Sequence, residues 1–485
     1  MQLAGIGIAL SFGVVALWLF EFGVLGGGGL AVFTFILLML IAGFPSAFSE
    51  AALAPFAPTL PGSLRRLSGR MEVVGWLALV NAVWLAGTLS IVLGLMLATQ
   101  LLVGFLPAPW LGRAAATQLA SLLLWHLSGH RAAGVAAFWA TTAALMFAYS
   151  TARGKGKIAE GVVLVAAASL VAFVALSVAL PGGVNPGVNY VAEGGRWGLS
   201  PLMLAVPVLS AGAGMGVIFR NVRSEAGAGF QLVTYPLAVV GAVFLSAMAF
   251  FSSGGASGMV DAARWMLVPA VPLDVFSWWL ASSATLSMCY GALGGAVSEL
   301  FVCASTLVAA FGCAAALGSV SAAIREELKV GGWLAFTLSA VPAVALSVLF
   351  TLVPLWVHLV FLEWWFVCVT VCVVALAEVL VVGWIIGVKR AFKQFDLNPP
   401  LMLQECLNLV FRFAAPAALV AAIIVSVLSS WQQVYVLTPP LTPLIPLLPQ
   451  DVSSAFTCSS AAWFSASIVA AFTLKAAAKW RRKND

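Results

Sequence analysis

Charge is the scarcest thing in this sequence. Only 8% of its 485 residues are Asp, Glu, Lys or Arg, against about 25% in a typical soluble domain. So few charges cannot clothe a water-facing globule, and 62% of the residues are hydrophobic. Histidine occurs three times. His126 and His130 stand four apart in "WHLSGHR" and could share one helix face, but no third ligand accompanies them, so an exposed loop helix is expected there and a metal site is not. The seven cysteines lie mostly in apolar runs (Cys303, Cys313, Cys368, Cys372) and form no CxxC pair, which leaves packing as their role. No nucleophile elbow, Walker loop or carboxylate pair in a polar setting occurs. No catalytic residue and no enzyme class is therefore expected. "RGKGK" (153–157) has phosphate-binding chemistry in principle, but a short basic loop is the simpler reading.

What the chain does have is apolar runs of about 20 residues from end to end, enough to cross ~30 Å of hydrocarbon. They define an all-α, polytopic membrane protein. A β-barrel would show short alternating strands instead. Spans are predicted near 3–25, 28–54, 72–106, 132–152, 158–181, 198–222, 228–252, 297–325, 331–355, 362–390, 405–430 and 455–478. The N-terminal run lacks a basic flank and a cleavage site, so it reads as a span rather than a signal peptide. Basic residues cluster after every second span: Arg65, Arg66 and Arg70; Arg153, Lys155 and Lys157; Arg220 and Arg223; Arg325 and Lys329; Lys389, Arg390 and Lys393; and the tail around Arg481, Arg482 and Lys483. The positive-inside rule then puts both termini in the cytoplasm, with the plasma or cytoplasmic membrane as the expected location. The net charge of +6 follows from these loops and calls for no nucleic acid. Residues 275–296 are also apolar, but a further span would reverse the later charges. A long external segment, about 253–296, that dips back toward the protein fits better.

One stretch contradicts its own setting. "LSAGAGMGVIFRN" (209–221) lies within an apolar run, yet Gly212, Gly214 and Gly216 alternate through it. Each glycine inside a helix costs about 1 kcal/mol relative to alanine. Two explanations stand: close helix packing through small residues, or a helix broken in mid-membrane.

Several motifs together resemble the neurotransmitter:sodium symporter family. "ALAEVLVVGWIIGVKRAFKQF" (375–395) is similar to that family's tenth span. "GGGGLAVFTFILLMLIAGFPSAFSEAALA" (26–54) resembles its spans 1 and 2, "WLF" (18–20) its Trp-Arg-Phe, "STARGKGKIAEGVVLVAAA" (150–168) its link between spans 4 and 5, and "REELKV" (325–330) the acidic end of span 8. The resemblance implies an inverted five-plus-five repeat, spans 1–5 (1–181) and 6–10 (198–392), followed by accessory spans 11 and 12 (400–480) and a basic tail (481–485). It also implies that spans 1 and 6 are broken at the midplane, around "SFGVVA" (11–16) and "SAGAG" (210–214), with the broken ends forming the substrate site. The substrate residues so implied are Ser11, Gly13, Val14, Val15, Gly87, Ser210, Gly212 and Ala213. Gly87 and Ala213 replace larger family residues, which implies a wider or more apolar pocket than an amino-acid site unless neighbours fill it.

The same resemblance implies degraded ion sites. Positions that hold sodium in the family fall here on Ala9, Phe12, Ala16, Val208, Gln231, Ala309, Gly312 and Cys313. Methyl and thiol groups are poor ligands for a hard cation; Gln231 is the one polar side chain kept, and backbone carbonyls near Ala9, Phe12 and Ala309 are the remaining oxygens such a site could use. The outer gate keeps Glu363, but Leu19 stands where its arginine partner belongs. At the inner gate Glu326 matches the acid, with almost nothing before span 1 to supply an arginine. Glu50 and Glu378 have family counterparts, and structural hydrogen bonding is the expected role of both, with Glu50 bonding backbone near a helix break. Glu21 stands near the outer end of span 1. The expected function is secondary active transport of a small organic solute, an amino acid or a more apolar amine or acid, with no cofactor beyond sodium or a proton as coupling ion. If protons couple, Glu21 or Glu363 titrates. The alternative is a non-transporting or proton-coupled paralogue serving as a membrane subunit or sensor.

Overall fold

The computed structural model describes residues 33–103, 136, 139–140, 207–209, 211–224, 310–352, 366–395, 399–427 and 452–484. Among the described residues there is no strand. The helices are α1 (Phe33–Ala52), α2 (Leu60–Leu67), α3 (Glu72–Val103), α4 (Val217–Ser224), α5 (310–328), α6 (Gly332–Leu352), α7 (366–386), α8 (Val388–Lys393), α9 (Leu401–Val427) and α10 (Val452–Asn484). α1, α9 and the 369–386 stretch of α7 are each long and apolar enough to cross a membrane. They fall on the spans predicted at 28–54, 405–430 and 362–390, the last ended short of 390 by Gly387, at φ 83°. The spans predicted at 3–25, 132–152, 158–181 and 228–252, and the external segment 253–296, lie outside the described residues or touch them only at isolated positions.

The long helices are not uniform. Pro45 has no N–H to give, so α1 widens to a π turn over Met39–Gly43 just before it. Ser46 then donates to the Ala42 carbonyl at 2.7 Å. A second wide turn, Val381–Ile386, closes α7 and leaves the Gly383 carbonyl free of the ladder. Arg412 on α9 takes it, donating from Nε at 3.1 Å while its guanidinium lies over the Trp384 ring. That arrangement explains how an arginine sits within an apolar helix: its Nε has an acceptor and its charge faces a π system.

Phe48 joins α1 to its neighbours, with ring centroids 4.7 Å from Phe392 on α8 and 5.3 Å from Phe411 on α9. Where helices touch most closely there is no side chain to intervene. A Cβ on Gly75 would lie 2.6 Å from Pro61 Cα, so α3 seats directly on α2. The outward faces of α6 and α9 are apolar and exposed, including Trp333, Val341, Phe413 and Ile424. A soluble protein rarely leaves such stripes to water. They suit lipid.

α10 is 33 residues long, about 50 Å at 1.5 Å per residue, and outreaches a bilayer core. It runs along α3, with Trp84 Nε1 donating to Ser467 Oγ at 2.8 Å, and reaches the link between α2 and α3, where Lys475 Nζ donates to the Gly69 carbonyl at 3.0 Å.

Candidate functional site

The glycine-rich stretch is where regular helix stops. Residues 207–209 are helical, 211–216 form turns, and helix resumes at Val217. Gly212, Gly214 and Gly216 all have positive φ, at 68°, 75° and 72°. An L side chain in that region meets the following carbonyl at a cost of about 1–2 kcal/mol, so three glycines at alternate positions are what this path requires. The hydrogen bonds record the unwinding. Ala211 N–H still bonds the Pro207 carbonyl, but Gly212 reaches back three residues to Leu209 and Ala213 five to Val208. The regular pattern returns only with Arg220 donating to Gly216. Of the two explanations for the glycines, the break is the one observed.

A broken helix inside an apolar shell leaves peptide groups in need of partners. Two side chains from other helices supply them. Glu50 on α1, fully buried, accepts from Gly214 N–H at 2.9 Å and from Phe219 N–H at 3.2 Å. It thereby bridges the turn and the first turn of α4, where amides lack intrahelical acceptors and the dipole favours an anion. Asn81 on α3, also fully buried, donates from Nδ2 to the Gly214 carbonyl at 3.1 Å. Both peptide groups of Gly214 are thus held from outside its own segment. Close approach matters here as well: a Cβ on Gly214 would stand 2.9 Å from the Val371 carbonyl of α7, and one on Gly43 2.6 Å from the Pro207 carbonyl.

The role expected of Glu50, bonding backbone beside a break, is the one it has. Glu378 differs. It is fully buried on α7, yet neither carboxylate oxygen meets a donor among the described residues. Among the described residues, therefore, the structural hydrogen bond expected of Glu378 has no donor.

Of the implied substrate residues, Gly212 and Ala213 lie on the break and are buried. Gly87 faces α6 instead: a Cβ there would come 2.5 Å from Leu346 Cδ2, so Leu346 fills the room its missing side chain leaves. Among the implied ion residues, Val208 is buried at the start of the break, while Gly312 and Cys313 are buried on α5. Ser11, Gly13, Val14, Val15, Ser210, Ala9, Phe12, Ala16, Gln231, Ala309, Leu19, Glu21 and Glu363 lie outside the described residues.

The acidic end of α5 holds a second polar cluster. Glu326 is exposed and, among the described residues, pairs only with its neighbour Arg325 at 3.3 Å. Glu327 is buried. Its Oε1 accepts from the Thr59 hydroxyl at 2.5 Å, and its Oε2 from Arg65 at 2.7 Å and from Arg482 at 2.9 Å. Both arginines also bond Glu72 Oε1, at 3.2 Å and 2.9 Å. Thr59 caps α2, accepting from Gly62 N–H at 3.0 Å while donating to Glu327, and so ties the start of α2 to the end of α5. Partial burial of Arg65 works against its charge, but Glu327 and then Glu72 outweigh that and raise its pKa above the ordinary arginine range.

Sequence reasoning missed Asn81, Thr59, Glu72, Glu327 and the partnership of Arg65 with Arg482. Asn81 left a visible signal, as a lone amide in "GWLALVNAVWLAG" (75–87), where a polar group marks a functional or packing site. The ion cluster left none, because Arg482 stands 410 residues from Glu72.

No family model matches the sequence, and no curated protein matches it. Among solved structures, that of MhsT in complex with L-phenylalanine matches with a TM-score of 0.69 at 16% identity, covering 88% of this chain and 98% of that one. MhsT belongs to the neurotransmitter:sodium symporter family, and this chain has a fold of that kind, in agreement with the resemblance of its motifs. MhsT is a transporter, not an enzyme. With its apolar helices, this chain is an integral membrane protein.

Proposed function

We propose that the protein is a secondary active transporter that moves a small organic solute by alternating access, around a site at the unwound stretch 208–216. One observation carries this reading. An apolar helix is interrupted by three left-handed glycines, and its freed peptide groups are held by Glu50 and Asn81 rather than by a continued ladder. A packing contact has no use for such a costly interruption, whereas a ligand site does. In this reading the chain has twelve spans in two inverted repeats, 1–181 and 198–392, with both termini in the cytoplasm. A matching break at 11–16 completes the site, which Ser11, Gly13, Val14, Val15, Ser210, Gly212 and Ala213 line. Glu363 and Leu19 stand at the outer mouth.

MhsT carries L-phenylalanine in its structure, so an aromatic or aliphatic amino acid is the first substrate to test. Sodium has few side-chain ligands to find: Val208, Gly312 and Cys313 offer methyl, hydrogen and thiol where the family offers oxygen. A proton gradient is therefore the second driving force to test. The experiment is uptake of radiolabelled L-phenylalanine, then of other amino acids, into proteoliposomes with a sodium gradient, a pH gradient, both or neither. Gradient-driven accumulation of any of them supports the reading. Exclusion of every solute under all four conditions removes it, and leaves a membrane subunit or sensor built on the same scaffold.

A further inference from the structure

We infer that the end of α10 and the corner between α2 and α3 form a docking surface for the headgroup of an anionic phospholipid. No charged residue stands in 452–474, a length that fills the ~30 Å hydrocarbon core. The next turns of α10 carry Lys475, Lys479, Arg481, Arg482 and Lys483. Two sets of contacts seat those turns on the corner. Lys475 Nζ donates to the Gly69 carbonyl at 3.0 Å. Arg482 shares Glu327 Oε2 and Glu72 Oε1 with Arg65. Basic residues from two segments far apart in sequence, 65–70 and 475–483, are thereby gathered at one edge of the fold.

The acids at this edge, Glu72 and Glu327, are taken by Arg65 and Arg482. Arg66, Arg70, Lys475, Lys479 and Lys483 meet no carboxylate among the described residues. Arg66 and Lys475 bond the Phe56 and Gly69 carbonyls, which leaves their charge in place. Arg70, Lys479 and Lys483 are exposed. Arg70 follows Gly69, and Lys479 lies one turn beyond Lys475, so the Lys475–Gly69 bond draws the two together. Like charges gathered at the edge of a low-dielectric layer repel, and a phosphodiester relieves them. The exposed face of α10 tells which anion fits. Val469, Phe472 and Trp480 are exposed and share one side of the helix with Lys483, at spacings of three and eight. Acyl chains suit the first two, and an indole suits the interface. The cations follow at the level of the phosphates. A soluble anion would use only the cations; a lipid uses the whole face.

The test is titration of the full-length protein in dodecyl maltoside with dioleoylphosphatidylglycerol, bound lipid being counted by native mass spectrometry. Phosphatidylglycerol is expected to be retained, with dioleoylphosphatidylcholine and inorganic phosphate each held roughly tenfold more weakly or worse. Arg70→Gln, Lys479→Gln and Lys483→Gln are expected to weaken retention about fivefold each and about a hundredfold together. The matching set is Lys389→Gln, Arg390→Gln and Lys393→Gln on α8, which removes the same charge from another exposed basic cluster and should weaken retention less than about twofold. A third set, Arg70→Lys with Lys479→Arg and Lys483→Arg, keeps every charge and should stay within about twofold of the parent. Gel filtration and circular dichroism confirm that each variant is folded. Equal losses in the two glutamine sets overturn the surface and leave a general basic belt. Loss in the charge-keeping set overturns the electrostatic account. Phosphatidylcholine held as tightly overturns the choice of headgroup, and inorganic phosphate held as tightly overturns the lipid. The assay involves no solute, so its outcome is independent of uptake into proteoliposomes.

Discussion

The protein holds two polar clusters, and they solve opposite problems. At the break in 207–216 the polar groups are main chain, and the charge that serves them is a single carboxylate, Glu50, spread over Gly214 and Phe219 amides. At the end of α5 the polar groups are side chains, two acids and two arginines in balance, joined by the Thr59 hydroxyl. The first cluster is wholly buried. The second keeps its acids dry and its cations part-wet. Inside a membrane an unpaired peptide group has no water to turn to, so the break must be satisfied by geometry that cannot relax. At the rim, water can stand in for a lost partner, and the bonds there are free to be remade.

If this contrast is right, the deepest damage comes from Glu50. Glu50→Ala strips the acceptor from two amides at once and should cost about 4 kcal/mol, taking the buried unsatisfied donors at about 2 kcal/mol each. Glu50→Gln, which keeps one acceptor oxygen, should lose about half as much. Unfolding by SDS titration in mixed micelles, followed by tryptophan fluorescence, measures both. Near-equal losses would mean that the carboxylate serves by its charge and not by bridging.

The glycines come next. Gly214→Ala combines left-handed backbone with a Cβ 2.9 Å from the rigid Val371 carbonyl, and should cost about 2–3 kcal/mol. At Gly216 the nearest obstacle is the Leu79 methyl at 3.2 Å, the movable tip of a side chain, and Gly216→Ala should cost about 1–2 kcal/mol. The order of the two, read by the same titration, separates backbone strain from steric collision. Equal costs would leave strain alone.

The break was legible because its cause is local. Positive φ is a demand each residue meets by itself, and glycine at alternate positions advertises it. The spans at α1, α7 and α9 were legible for a similar reason, since hydropathy is summed over neighbours. Partnerships across the fold were another matter. Gly87 suggested a roomier pocket, but only the packing of α6 reveals that Leu346 takes the space. Glu378 suggested a hydrogen bond, but whether a donor faces it depends on helices distant in sequence. At the end of α5 the resemblance points to Glu326, but in "REELKV" (325–330) two glutamates are adjacent, about 100° apart around the helix, and composition cannot tell which one turns inward.

That one-residue distinction yields the smallest and sharpest prediction. Glu327→Gln leaves Arg65 and Arg482 facing a neutral amide, with Glu72 still beside them, so its loss is tempered by the water already at the guanidiniums. A cost of about 1–2 kcal/mol is expected, shrinking as salt is raised from low to molar concentration. Glu326→Gln breaks only the exposed contact with Arg325 and should change the SDS midpoint by less than about 0.5 kcal/mol. Were Glu326 the costly position, the water-facing side of α5 would carry the stabilising charge and the buried cluster would contribute little. The rim would then be as fixed as the break, and the contrast between the two regions would be lost.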